Sequence, residues 1–599
     1  MPVIELRVDR NLLCNNFKGY KISFDPVPIL REDLHSTPAT MHLVRDQYSR
    51  LHNELFARQN LLYADPWIRH NTYFINSGHQ VMQCMYDPEI GRSLGLRVVY
   101  TIENYDHGDG HEQQPGDYNY SMCFISERFC VICDGITTYH LLDTGDRSRP
   151  TAEKWKLVTR APVDRESGVR GYIMYNARLD VVQERKQISV VAGRIFRREA
   201  GAARVSQEGM QYMEIVWGHW IFNIFSNEWE YSIRERLETT GTLQYCAFEP
   251  RGESLIIATN RKVETRAQRE AADAAALAAA PAPVPTAPPE EAQNGHDVTI
   301  REDAEDASGK VTHTFDQTNN EVIVRFPLPE NATRDDITIR LTSTTLDVMY
   351  LEQVLLAGEL YLPVHTEPMV WLVEESALHL TLAKQTQHLR WPQVLKQDDA
   401  EDDDESAAPL NASALPIPNL VDPIEDCDLG NMDDGNHIVR FNLPTNKITH
   451  TIFLAEQPLL FVTDVRPGFP PAFATREGVD ASVWLQVYQP TRPDEWDVRH
   501  VGQLPALGYV QASKLNRKFT ACCDEFKYCV ICESRRNVLI YHSRHESAEG
   551  LRKRNGGPVV IGKQKVVNIE FEHGEIMGVA AASNVIIILT EYALMHLQL

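Results

Sequence analysis

Glu321-Val-Ile-Val-Arg-Phe-Pro-Leu328 sets Val322, Val324, Phe326 and Leu328 on one face of an extended chain. Three nearby stretches repeat the pattern: Asp336-Ile-Thr-Ile-Arg-Leu341, Thr345-Leu-Asp-Val-Met-Tyr350 and Ala377-Leu-His-Leu-Thr-Leu382, the last with Leu378, Leu380 and Leu382 in step. A period of two marks half-buried antiparallel strands. The run closes on Arg390-Trp391-Pro392. Residues 310–396 therefore read as a complete small antiparallel β-sandwich with its own core.

Low-complexity sequence bounds this module on both sides. Residues 263–309 begin Ala-rich and continue as Pro281-Ala-Pro-Val-Pro-Thr-Ala-Pro-Pro, which favours extended polyproline II. Residues 397–423 open on the acidic run Asp398-Asp-Ala-Glu-Asp-Asp-Asp-Glu405. Like charges packed that densely resist folding. Both segments are expected to be disordered, flexible linkers.

The outer pieces, 1–262 and 424–599, share a repeating unit. Phe129-Cys-Val-Ile-Cys-Asp-Gly-Ile-Thr-Thr-Tyr-His-Leu-Leu142 matches Tyr528-Cys-Val-Ile-Cys-Glu-Ser-Arg-Arg-Asn-Val-Leu-Ile-Tyr541 in form: apolar strand, polar turn, apolar strand. Asn584 to Leu597 and Tyr245 to Ala258 are related hairpins. Many short strands between turns imply a sandwich array or a β-propeller. Because the units occur on both sides of the module, the expectation is one mainly-β propeller of about seven blades. Its N-terminal part (1–262) and C-terminal part (424–599) close a single ring, and the sandwich interrupts it between blades. Residues 40–60 suggest a helix with Leu43, Gln47, Leu51 and Leu55 on one face.

The formal net charge is −24 over 599 residues. Such a chain repels phosphate backbones, so direct nucleic-acid binding is not expected. Arg552-Lys-Arg554 is a local basic exception, read as a solvated loop. The N-terminus shows no apolar core of signal-peptide length. The run Val585-Ile-Ile-Ile-Leu589 is far too short to span a bilayer. Membrane insertion is not expected, and the chain reads as soluble and intracellular.

Candidate chemistry is sparse. Cys130-Val-Ile-Cys133 and Cys529-Val-Ile-Cys532 have zinc-knuckle spacing. Their β-branched interiors read as strand, however, and a strand sends residues i and i+3 to opposite faces. His107-Gly-Asp-Gly-His111 could be a metal loop but reads as a solvated one. No phosphate loop, dinucleotide fingerprint or nucleophile elbow occurs. No catalytic residue, cofactor or metal is expected. A propeller enzyme or small-ligand binder stays open as an alternative; a tight His/Asp/Glu cluster lining the channel would favour it.

The module resembles a CS domain, the sandwich shared by NudC proteins and some co-chaperones of heat-shock protein 90. The resemblance rests on Phe315-Asp-Gln317 (the family usually has Trp in place of Phe315), Arg325-Phe-Pro-Leu-Pro-Glu330, Gly358-Glu-Leu-Tyr361, Thr381-Leu-Ala-Lys384 and Leu389-Arg-Trp-Pro392. Phe17-Lys-Gly-Tyr-Lys21, Asp46-Gln-Tyr48, Glu153-Lys-Trp155 and Ala506-Leu-Gly-Tyr-Val-Gln-Ala-Ser-Lys514 extend the resemblance to the NudC family across the flanks. It implies a non-enzymatic co-chaperone or adaptor in cytoplasm and nucleus, linking a chaperone of the heat-shock protein 90 class to client proteins. A structural scaffold in a transport or RNA-processing assembly is the alternative. Phe315, Trp371, Lys384, Trp391 and Pro392 are the candidate core or protein-binding residues of the sandwich. The oligomeric state is open.

Overall fold

The structure is a computed structural model. It describes residues 2–599 except 15, 45–46, 48, 103–113, 150–152, 165–168, 198–210, 272–303, 306–310, 318–320, 330–331, 333–335, 352, 375–376, 386–390, 392, 397–434, 455–456, 490–491, 493–494, 535, 544–546 and 553–557. The chain divides into two compact units, Met1–Pro281 with Ile424–Leu599, and Ala282–Pro423. Both expected linkers lie largely outside the described residues.

Among the described residues the first unit contains seven sheets, and each is essentially an up-and-down run of four strands. In chain order their innermost strands are Tyr63–Ala64, Ser121–Phe124, Ile173–Val182, Tyr245–Phe248, Phe461–Thr463, Arg517–Cys522 and Ile576–Ala581. Every hydrophobic core of this unit is shared by two consecutive sheets. Tyr73 and Val81 of the first pack with Phe124 and Ile132 of the second. The last core joins Val585, Ile587 and Leu594 of the seventh sheet to Phe74 and Cys84 of the first. The chain of cores closes on itself, which makes this unit a β-propeller.

The cysteine strands show why these sequences are apolar without alternation. In Phe129–Cys133, Cys130 and Ile132 face the first sheet's core, while Val131 and Cys133 face the third sheet's. In Tyr528–Glu533, Cys529 and Ile531 face the fifth sheet, while Val530 and Cys532 face the seventh. A sheet covered on both faces needs apolar side chains at every position. The two cysteines of each pair sit in different cores, so they cannot share a metal ion.

N-terminal strands complete two sheets. Ile29–Asp33 pairs antiparallel with Ala593–Gln598, with Ile29 opposite Leu597. Phe17–Ile22 runs parallel to Pro558–Asn568. The expectation that the module interrupts the ring between blades is corrected. The fourth sheet takes Tyr245–Phe248 and Ser254–Thr259 from before the module, and His437–Asn442 and Lys447–Phe453 from after it. Ser254 lies opposite Asn442 and Thr259 opposite His437, so the insertion falls inside a sheet. Pairing across a chain break of any length satisfies the same ladder, so the strand sequences carry no mark of it.

The expected boundary at 262 also moves. Val263 is buried, Glu264–Thr265 pairs with the end of Glu228–Thr239, and residues 266–271 are helical. The helix expected over 40–60 is confined to Arg50–Arg58. Ser49 caps it, with its side chain accepting from His52 N–H. The cap fixes the first turn by satisfying a backbone donor that has no intrahelical partner.

The second unit is a two-sheet sandwich. One sheet orders Ala304–Glu305, Val311–Gln317, Glu321–Pro327, Ala377–Lys384 and Val364–Glu374; the other holds Ile337–Leu341, Thr345–Tyr350 and Gln353–Glu359. Val322, Val324, Phe326, Leu378, Leu380 and Leu382 are fully buried between them with Leu346 and Val348. The alternation in the sequence is therefore the alternation of core and outer face. The sandwich begins at Ala304, inside the segment expected to be linker.

Candidate functional site: the propeller channel and the sandwich

The innermost strands of the seven sheets enclose the axis of the propeller. At one mouth they and the loops after them form a cavity of about 430 Å³, lined by Trp67, Arg69, Arg178, Asp464, Phe469 and Asp524 among others. Arg69 is ion-paired with Asp524 and donates to the Val465 carbonyl at 3.1 Å. Arg178 is held by Asp180 at 2.8 Å. Asp464 opens into the channel, but surrounding protein displaces most of its hydration and raises its carboxyl above the ordinary range; Arg69 opposes that shift. Cys123 is on the wall, its thiol pushed up to about 12 by burial. A thiol in that state is not a nucleophile at neutral pH. Among the described residues lining this cavity there is no histidine. The lining is mixed, with aromatic surfaces and ions most of which are paired: Arg69 with Asp524 across the cavity, and Arg178 and Asp65 with Asp180 and Arg147 beyond its wall.

Behind this mouth lies a pair absent from the sequence reading. Arg147 and Asp65 are fully buried, 2.6 Å apart, and tie the second sheet to the first. Arg147 also donates to Thr144 Oγ1 and the Ser126 carbonyl, and its guanidinium sits 4.6 Å from the Phe124 ring centroid. All three nitrogens of the fork donate, in four hydrogen bonds, and such pairing is the condition under which a buried charge is tolerated. Arg147 lies in the polar stretch Asp146-Arg-Ser-Arg149, which looks like a solvated turn, and its partner is distant in sequence.

At the other mouth the helix Arg50–Arg58 reaches from the third sheet to the sixth. Beside it is a larger cavity of about 1070 Å³, open to solvent.

The sandwich residues singled out in the sequence are largely interior. Phe315 and Trp391 are buried in the single core of that unit, and Trp371 packs against it half-buried. Lys384 ends the strand Ala377–Lys384 in the same facing as Leu378, Leu380 and Leu382, 3% exposed, opposite Val364. Its four-carbon stem suits that position. Pro392 lies outside the described residues. The apolar side chains this unit turns outward are different ones: Leu351, Val354 and Leu372.

The His107–His111 loop lies outside the described residues, as do Lys553 and Arg554 of the basic triplet. One further cluster brings Glu570, Glu572 and His573 within 4.8 Å of one another. Glu572 is already paired with Arg31 at 2.8 Å. Among the described residues no helix is long and apolar enough to cross a membrane.

The CS domain family matches residues 311–384. The chain is 25% identical to NudC domain-containing protein 1 of Xenopus tropicalis and 26% identical to that of Mus musculus. Each match covers 98% of this chain and 97% of the relative. Among solved structures, the WD40 domain of SCAP from fission yeast is similar over 96% of this chain and 97% of that one, at 8% identity and a TM-score of 0.28.

Proposed function

We propose that this chain is a non-enzymatic protein-interaction protein of the NudC type, acting as a co-chaperone or adaptor in cytoplasm and nucleus. The sandwich contacts a chaperone of the heat-shock protein 90 class or its client, and the propeller supplies a second surface. The supporting observation is the separation of two modules on one chain. The two share no hydrophobic core, and each offers a different surface: outward Leu351, Val354 and Leu372 on the CS domain, and an open channel mouth on the propeller. Two binding surfaces on one chain raise the local concentration of one partner near another.

The mixed channel lining favours this reading over a ligand-transforming site. The test is affinity purification with quantitative partner identification, comparing the intact chain with one lacking residues 310–396. Loss of a chaperone of this class, with propeller-bound partners retained, supports the reading. An unchanged partner set refutes recruitment by the sandwich.

A further inference from the structure

The cavity beside the helix Arg50–Arg58 holds a combination that nothing described so far uses. Leu55, Leu459 and Val462 give it an apolar wall, and Leu515 stands at its edge 97% exposed. Two guanidinium groups face the same space, Arg58 from the last turn of the helix and Arg517 from the start of the sixth sheet. The ladder slips between Arg517 and Phe519, and a bulge of this kind re-aims the side chains beside it.

Arg517 is half-buried, and its hydrogen bond goes to a neutral acceptor, Gln511 Oε1 at 3.2 Å. Among the described residues neither Arg58 nor Arg517 has a carboxylate within ion-pair distance. Glu54, one helical turn from Arg58 and on the same cavity wall, is engaged by Thr242 Oγ1 and by Arg50 at 3.0 Å, and the charge of Arg58 also acts on it, so Arg517 is the cation of the pair that lacks a counter-charge. Lys518 is 3.6 Å from Glu575. Burial and the neighbouring charge of Arg58 hold the Arg517 guanidinium below its ordinary range. Two like charges converging on one cavity, one of them partly desolvated and without a counter-charge, destabilise the empty site and favour an anion in it. In a chain of net charge −24 such a pair is not a by-product of general basicity.

We infer that this groove docks an acidic peptide segment of a partner protein, its carboxylates on Arg58 and Arg517 and an apolar side chain against Leu459, Val462 and Leu515. The apolar wall disfavours a nucleic-acid strand, whose charge repeats at every nucleotide. The inference deepens the protein-interaction reading by giving the propeller surface a ligand chemistry. It does not depend on the sandwich.

The probe is a short fluorescent peptide of alternating Glu, Asp and Leu, titrated into the full-length protein by anisotropy. Saturable, salt-sensitive binding is expected. Arg517→Gln should weaken it about tenfold, as loss of one member of a partly buried charge pair does, and Arg58→Gln, at an exposed position, by a smaller factor of about two to five. The same peptide with Gln and Asn in place of its acids should not bind. Arg517→Gln should leave the thermal midpoint unchanged or raised, because it removes an uncompensated charge; a fall of several degrees would make Arg517 a structural residue and overturn the inference.

Three other results overturn it. One is no binding. Another is tighter binding of a single-stranded oligonucleotide probe. The third is peptide binding only after Glu425, Asp426, Asp428, Asp433 and Asp434 are changed to amides. Those residues precede Asn436, which accepts from Gln244 on the groove wall at 2.6 Å. That third result would give the groove to the chain's own acidic stretch. Because the full chain is used in every arm, failure here leaves the sandwich-deletion test standing, and the reverse also holds.

Discussion

The strands Phe129–Cys133 and Glu321–Pro327 are both central strands of antiparallel sheets, yet their sequences follow different rules. The first is apolar at every position because a neighbouring sheet covers each face, with Cys130 in one core and Val131 in the next. The second alternates because only one face meets a core; Val322, Val324 and Phe326 are buried, while Ile323 and Arg325 are half-buried on the other face. Periodicity therefore reports how many faces are covered rather than whether a strand is present. It also disposes of the apparent metal motif, since the covered strand spends its two cysteines on two different cores.

The largest effect should come from breaking what holds the divided sheet together. Arg440, on the first strand after the module, is bound at 2.9 Å to Glu249, next to the last residue of Tyr245–Phe248 before it. Both side chains are buried. Arg440→Ala leaves Glu249 as an unpaired buried charge and should destabilise the propeller by about 3–5 kcal/mol. Urea unfolding followed by tryptophan fluorescence measures it. A cost under about 1 kcal/mol would mean the pair is solvated.

A polar scan sharpens the comparison at smaller amplitude. Val530→Asn and Ile531→Asn, neighbours facing opposite ways, should each cost about 1–3 kcal/mol by burying an amide without partners. In the sandwich Val348→Asn should cost as much, whereas Thr338→Asn, exposed on the adjacent strand, should stay within about 0.5 kcal/mol. If one of the two propeller substitutions proves silent, that strand has a free face and the ring of shared cores is wrong.

The smallest effect is a pH slope. His140, His219 and His596 are buried in the propeller, and desolvation lowers each to about 4. The unfolded chain takes up their protons near the usual value of about 6.5, so between about 6.5 and 4 it binds more protons than the native state. Stability is full above that window and falls as pH drops through it. His596→Gln should flatten the slope of thermal midpoint against pH; an unchanged slope would assign the titration elsewhere.

The sandwich was readable because its alternation is local. So was the existence of a propeller, because its hairpins repeat on both sides of the module. What could not be read is long-range. Nothing near Thr259 announces that its partner strand begins at His437. Ile-Leu-Arg-Glu-Asp, residues 29–33, carries no strand pattern and becomes one only because Ala593–Gln598 offers an open edge. Asp65 meets Arg147 where the second sheet packs on the first, and Arg58 meets Arg517 where the helix Arg50–Arg58 reaches the sixth sheet, and each looks like ordinary surface charge in the sequence. The candidate sandwich residues are aromatic or family-matched positions, and Phe315, Lys384 and Trp391 point inward.

The most direct test of the two-unit organisation is scanning calorimetry of the full chain beside one in which a short Gly/Ser linker replaces residues 304–396. The full chain should show two transitions. The shortened one should lose only the sandwich transition and keep the propeller midpoint within a degree or two, because its strands His437–Asn442 and Ser254–Thr259 still meet. A single shared transition in the full chain, or collapse of the propeller transition when the sandwich is removed, would contradict the account.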